Sequence, residues 1–456
     1  MARDQIDLTP IESRDELVAW IAAGSKPPAD FRIGTEHEKL PFTLSGHAPV
    51  PYEGRRGIRA LLDGMRHLLG WEPIMEGEYI IGLADVTGGG AITLEPGGQF
   101  ELSGAPVETV HQTCGEIHAH LAQLREVAAP IGVGFLGIGM SPKWTRAETP
   151  AMPKGRYRIM AAYMPKVGQL GLDMMFRTCT VQVNLDFSSE ADMVKKLRVG
   201  LAWQPVVTAL FANSPFTEGR PNGFLSYRSE IWRDTDPDRT GMLPWAFEDG
   251  MGFERWVDYA LDVPMYFLKR GDRYVDVAGQ SFRDFMAGKL ASVHGERPTI
   301  SDWANHLTTA FPEVRLKRYL EMRGADSGPS ARLCALPALW AGVLYDDTAL
   351  DAAWDLVKDW TAEERQKLRD DVPRLGFNAE IRGRKARGLA REFVSLARTG
   401  LARRRRLDRS GRDESHFLLP LEALVERGQT PADELLAKFH GDWRGSVDPV
   451  FSALAY

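Results

Sequence analysis

Glutamates recur at alternate positions of strand-like segments in this sequence, where their carboxylates would share one face. In ITLEPGGQFELSG, residues 92–104, Ile92, Leu94, Phe100 and Leu102 fall on apolar positions, and Thr93, Glu95, Gln99 and Glu101 fall between them. Pro96, Gly97 and Gly98 interrupt the run, so it reads as two short strands or as one strand with a bulge. In FRIGTEHEKL, Phe31 and Ile33 point one way and Glu36 and Glu38 the other, with His37 on the apolar side. RTCTVQVNLDF divides more sharply: Cys179, Val181, Val183, Leu185 and Phe187 alternate with Thr178, Thr180, Gln182, Asn184 and Asp186. In VRLKRYLEMRGAD, Lys317, Tyr319, Glu321 and Arg323 alternate with Leu316, Leu320 and Met322. Any one of these segments reads as a half-buried strand with a solvated side. Four of them together are better explained by a sheet curved around a polar cavity. There, carboxylate oxygens gather hard cations such as Mg²⁺, and the cations hold phosphates.

The elements that would carry these faces follow from periodicity. Strands are expected over residues 31–38, 91–102, 131–140, 177–187 and 315–323, and helices over 55–69 and 108–128. Beyond about residue 347 the pattern is mainly helical. The class is α+β, with a late helical region packed on the sheet. GVGFLG, residues 132–137, satisfies G-x-G-x-x-G but continues into IGMSPKW, where Pro142 opposes the helix a dinucleotide site needs. G-x-x-x-x-G-K-[ST] is absent, so any ATP is held without a P-loop.

The chain has 456 residues, 44% apolar and 26% charged, and no apolar run approaches the roughly 18 residues of a membrane span. A net charge of −6 offers no general attraction to nucleic acid or to anionic membrane. The basic run LARRRRLDRSGRDE, residues 401–414, is soon interrupted by Asp408, Asp413 and Glu414 and reads as a solvated helix end and loop. The acid-rich start, without an apolar core, predicts neither a secretory signal nor a transit peptide, and hence a cytoplasmic location. Cys114, Cys179 and Cys334 are too few and too scattered for a disulfide scaffold or a structural zinc site, which suits a reducing compartment.

Longer strings carry a resemblance. GTEHEKL, LEPGGQFELSGAP, HQTCGEIHAHL, MPKGRYRIM, YMPKVGQLGLDMMFRTCTVQVNLDF, LFANSPFTEGRPNGFLS and HLTTAFPEVRLKRYLEMRGAD resemble glutamate-cysteine ligases of the plant and proteobacterial type, and the match runs from about residue 30 to the C-terminus. The resemblance implies residues 1–456 as one catalytic domain, with a glutamine synthetase-like core whose curved antiparallel sheet forms an open funnel. It implies ATP-dependent joining of the L-glutamate γ-carboxylate to the L-cysteine amine through a γ-glutamyl phosphate. A phosphotransferase or another carboxylate-amine ligase on the same scaffold is the alternative. Carried over residue by residue, the resemblance implies Glu36, Glu38, Glu95, Glu101, Gln182 and Glu321 as Mg²⁺ ligands. Arg156, Arg228 and Thr180 would hold glutamate, Tyr157 and Tyr266 would wall the cysteine pocket, and Lys154 and Arg323 would face phosphate, with Arg156 and Arg323 also catalytic. The expected partners are these small molecules, in a monomer or homodimer.

The resemblance also sets Cys114 and Cys334 at the positions of a regulatory disulfide in plant members, whereas Val277 and Ser292 stand where a second plant pair would be. The residues themselves put Cys114 on the apolar stripe Val110, Ile117, Leu121 and Leu124, which equally suits a buried thiol. Both readings stay open. A bond would close a loop of roughly 220 residues, worth up to about 5 kcal/mol on the chain-entropy account.

Overall fold

Ile33–Thr43 (β1) is the hub of the fold in the computed structural model, which describes residues 6–271 and 273–456. It pairs with three other strands, all antiparallel. Next in chain order come β2 (Glu72–Glu76), β3 (Tyr79–Ala84), β4 (Ala91–Leu94), β5 (Phe100–Ser103), β6 (Val133–Leu136) and β7 (Thr180–Leu185). A separate hairpin, β8 (Phe267–Arg270) and β9 (Arg273–Asp276), precedes β10 (Val314–Leu316) and β11 (Leu320–Asp326). The main sheet has nine strands in the order β10-β11-β7-β1-β5-β4-β3-β2, with β6 pairing farther along β1. β10 and β2 lie at its two ends and do not pair, so the sheet is open rather than a closed barrel.

Helices cover the apolar face. Ile58–Leu69 (α1) and Val110–Ala128 (α2) pack on β3, β4 and β5 around Leu83, Ile92, Leu94 and Phe100. On α1, Ile58, Leu61, Leu62 and Met65 are fully buried, each contributing about 1.5–3 kcal/mol. The N-terminus of α2 is a capping box, with Thr109 and Gln112 satisfying each other's backbone N–H groups. Gly155–Tyr163 (α3) stands over the end of β4. Glu190–Phe211 (α4) and Ser330–Leu344 (α6) back β7 and β11, and the short Tyr227–Ile231 (α5) lies between them in sequence. The late region is helical as expected: Asp347–Asp355, Ala362–Leu375, Ala386–Arg404, Leu419–Arg427 and Pro431–His440. No helix among the described residues is long and apolar enough to cross a membrane.

Three local expectations are corrected or resolved. Residues 91–102 form two strands joined by a tight turn, in which Glu95 N donates to Gln99 O (3.0 Å) and Gly98 N to Glu95 O (2.9 Å). Residues 315–323 are a hairpin and not one strand, because Lys317 N turns back to Tyr319 O (2.9 Å). β6 enters no helix, so GVGFLG is a strand that pairs with β1. β2 and β3 were not anticipated.

A register shift between Met322 and Ala325 sets both Arg323 and Gly324 against the single Gln182 side of β7. At Gly324 a Cβ would lie 2.4–2.7 Å from the Gln204 side chain of α4. Gly324→Ala is expected to destabilise the fold by about 1–3 kcal/mol, read from denaturant midpoints. A cost below about 0.5 kcal/mol would mean that α4 does not hold the bulge in place.

Candidate functional site

Register turns the alternating glutamates into a patch. Glu38 stands opposite Glu101, Glu101 opposite Thr93, and Glu36 opposite Gln182. Side chains opposite one another on antiparallel strands share a face. They line a cavity of about 480 Å³ together with Glu95, Lys154, Arg156, Tyr157, Thr180, Arg228 and Arg323. Residues separated by almost 290 positions thereby meet in one polar hollow.

The carboxylates are held by few donors. Thr93 Oγ1 donates to Glu101 Oε2 (2.6 Å), Asn184 Nδ2 to Glu36 Oε1 (2.9 Å), Thr180 N to Glu38 Oε2 (3.0 Å) and Tyr157 OH to Glu95 Oε1 (3.2 Å). Burial, reinforced by the charges of Glu95 and Glu101, pushes the Glu38 carboxyl well above its ordinary range. Burial, with Glu95 and Glu36, pushes Glu101 up to about 7. Such crowding of buried oxygens is costly unless a cation compensates it. All the donors are hard: carboxylates and the amide oxygen of Gln182 fit Mg²⁺ in type and number.

Two basic groups enter the same cavity. Lys154 Nζ donates to Leu94 O (2.8 Å) and lies 5.0 Å from the Tyr157 ring, with the Arg156 guanidinium 4.9 Å from that ring. Burial and Arg156 hold the Lys154 amine down to about 8. The second group is Arg228, whose Nη2 donates to Arg323 O (3.0 Å), and Arg323, whose Nη1 donates to Gln182 Oε1 (2.8 Å). Nε of Arg156 and Nε of Arg228 are buried without a hydrogen-bond partner. Arg228 is fixed from below: its N–H donates to Ser214 Oγ (3.1 Å), and Ser226 caps α5 through Ser229 N. Both hydroxyls donate to the buried Asp326 carboxylate, at 2.7 and 2.9 Å.

Two expected site residues stand elsewhere. Glu321 lies beneath the cavity surface, where Arg315 donates to it from Nη2 (2.8 Å to each oxygen) and Nε (3.1 Å), and it pairs with Lys317 (3.1 Å) and Arg323. Burial alone would raise its pKa, but Arg315, Lys317 and Arg323 together hold it well below the ordinary carboxylate range. In this structure its oxygens are paired with cations of the chain itself rather than turned toward the cavity. Tyr266 is turned away: its OH donates to Asp236 Oδ2 (3.0 Å) and its ring lies 3.7 Å under the Arg239 guanidinium. Phe267, the next residue and therefore on the other face, lines the cavity instead.

Lys317, placed on a polar strand face from the sequence, also lines the cavity, as do Arg315, Lys269 and Tyr274, which were not singled out. FLKRGDRYVD, a glycine turn between two short apolar runs, was the available signal for the β8–β9 hairpin that brings Lys269 and Tyr274 there. Cys114 and Cys334 are joined in a disulfide that links α2 to α6, with Cα atoms 5.4 Å apart, and Cys179 is a free buried thiol. The basic run is partly structural: Arg404 pairs with the buried Glu414 (3.1 Å), which accepts from Val110 N at the start of α2.

Residues 32–453 match the family described as Glutamate-cysteine ligase family 2 (GCS2). Curated relatives include the chloroplastic glutamate–cysteine ligase of Nicotiana tabacum, 58% identical over 444 residues and covering 97% of this chain and 83% of the relative. The chloroplastic glutamate–cysteine ligase B of Oryza sativa subsp. japonica is 55% identical over 453 residues, covering 99% and 89%. A crystal structure of glutamate–cysteine ligase from Francisella tularensis in complex with AMP has a TM-score of 0.54 at 12% identity, covering 90% of this chain and 85% of that one. At that identity the likeness speaks for the fold, which is the open antiparallel sheet with surrounding helices expected from the sequence. The expected cytoplasmic location is corrected: the curated relatives are named as chloroplast proteins.

Proposed function

This chain belongs to glutamate-cysteine ligase family 2, and from that premise we propose how its cavity carries out the reaction. The activity is that of a glutamate–cysteine ligase, the first step of glutathione synthesis: the γ-carboxylate of L-glutamate is joined to the amine of L-cysteine, and ATP yields ADP and phosphate. The observation that carries the assignment of residues is the convergence of Glu36, Glu38, Glu95 and Glu101 with two arginine groups in one cavity. We take residues 1–456 as one catalytic domain, since one apolar cluster joins residues from Ile11 to Val425.

A carboxylate does not acylate an amine, because oxide would have to leave. Transfer of the ATP γ-phosphoryl group to the γ-carboxylate makes an acyl phosphate, from which phosphate leaves when the amine attacks. The chain's task is to hold polyanions in line and neutralise them. Glu36, Glu38, Glu95, Glu101 and Gln182 would hold Mg²⁺, which when bound neutralises the phosphates and the crowded carboxylates. Arg228 and Arg156, each with an unpartnered Nε, grip the glutamate carboxylates, and Thr180 adds a hydroxyl. Tyr157 walls the cysteine side, and Lys154 and Arg323 face the phosphate. Glu321 acts through Arg315, Lys317 and Arg323, which it orients toward the cavity.

Arg228→Lys tests the glutamate assignment. The substitution keeps the charge and loses the planar fork, so KM for glutamate is expected to rise at least tenfold while KM for ATP changes less than twofold. A rise confined to ATP would move Arg228 to the nucleotide.

A further inference from the structure

Outside the cavity, one group of side chains able to ligate a metal, among the described residues, stands apart from the reaction. Cys114 and Cys334, both buried, join α2 to α6, and His118 lies four residues beyond Cys114 on α2, on the same helix face and exposed to solvent. The ligand atoms of the three residues lie within 4.8 Å of one another. We propose that, once the disulfide is reduced, Cys114, Cys334 and His118 form a site for a thiophilic divalent cation of the Zn²⁺ type, with a fourth position open to water.

The donor set selects the ion. Two thiolates and an imidazole suit Zn²⁺ and softer cations, whereas the carboxylates of the cavity suit Mg²⁺. Bond lengths of about 2.3 Å to sulfur and about 2.0 Å to nitrogen put tetrahedral ligand atoms roughly 3.5–3.8 Å apart. Sulfurs released from their bond need only small side-chain rotations to reach that spacing, while α2 and α6 keep their places. The i, i+4 pairing of Cys114 and His118 aims two ligands from one helix, and Cys334 supplies the third from its neighbour. Exposure of His118 provides the entry path and the open position.

The chemistry balances. A dithiol reductant delivers two electrons and two protons, is itself oxidised to a disulfide, and leaves two thiols. The cation then displaces the two thiol protons. In reverse, a disulfide oxidant takes two electrons from the thiolates, the sulfur–sulfur bond forms and the ion leaves. Bridge and cation are therefore mutually exclusive ways of tying α2 to α6.

The test uses the full chain, reduced with a dithiol, desalted anaerobically and titrated with Co²⁺ in excess Mg²⁺ to occupy the carboxylate cavity. A thiolate-to-cobalt charge-transfer band saturating at one equivalent, and displaced by Zn²⁺, is expected. Oxidised protein and Cys334→Ser should lack it, and His118→Ala should weaken binding at least tenfold. No band in the reduced wild type overturns the proposal. A band that survives in oxidised protein or in Cys334→Ser, or one indifferent to His118→Ala, overturns it as well. If Cys334→Ser fails to fold, the oxidised wild type and His118→Ala still decide the question.

Discussion

Glu101→Gln leaves a protein that folds at least as well as the wild type and turns over about 10²–10³-fold more slowly. The amide keeps the shape of the side chain and can still accept from Thr93 Oγ1, so the strand pairing around it survives. What it removes is a negative charge that burial, Glu95 and Glu36 all oppose in the ion-free protein. Stability and activity therefore move in opposite directions. The sign with pH follows. The folded carboxyl is raised to about 7 from an ordinary 4.5, so the wild type keeps its full stability below about 4.5 and loses part of it as pH rises through about 7. The variant has no such titration. Measured without metal, its advantage in Tm over the wild type should widen between those two pH values and then stay constant. A solvated acidic face would give neither the lost turnover nor the widening gap.

Glu321→Gln has the opposite effect on stability, a loss of roughly 3–5 kcal/mol, because a buried pair broken from one side leaves unpaired charge. Here the loss exposes Arg315, Lys317 and Arg323 to one another around a neutral amide in a buried position. The denaturant midpoint of the metal-free protein is the readout. A change under about 0.5 kcal/mol would mean that the three cations do not depend on this carboxylate. Two Glu→Gln changes on one sheet thus separate by sign: relief at Glu101, destabilisation at Glu321.

Much of the site was legible because strand alternation is a local rule. Glu36 and Glu38, Thr180 and Gln182, and Glu95 and Glu101 were placed on polar faces, and all six line the cavity. Register was not legible, since Glu38 meets Glu101 only through a pairing between distant segments. The β10–β11 hairpin escaped because LKRYL carries no glycine or proline to mark its turn. That turn folds Arg315 and Lys317 back over Glu321, which is why the carboxylate is enclosed. Tyr266 and Phe267 differ by one residue of parity, and which of them faces the cavity could not be read before the strand was known to start at Phe267. The disulfide rested on resemblance alone: nothing in the apolar stripe of Cys114 distinguishes a bridge from a packed thiol.

The central claim is that this cavity activates a γ-carboxylate as an acyl phosphate for attack by an amine, and oxygen labelling tests it most directly. L-Glutamate carrying ¹⁸O in both γ-carboxylate oxygens is incubated with ATP, Mg²⁺ and L-cysteine, and phosphate and dipeptide are examined by mass spectrometry. One labelled oxygen in the released phosphate and one retained in γ-glutamylcysteine is the predicted result. Unlabelled phosphate, or phosphate released without dipeptide, would contradict it.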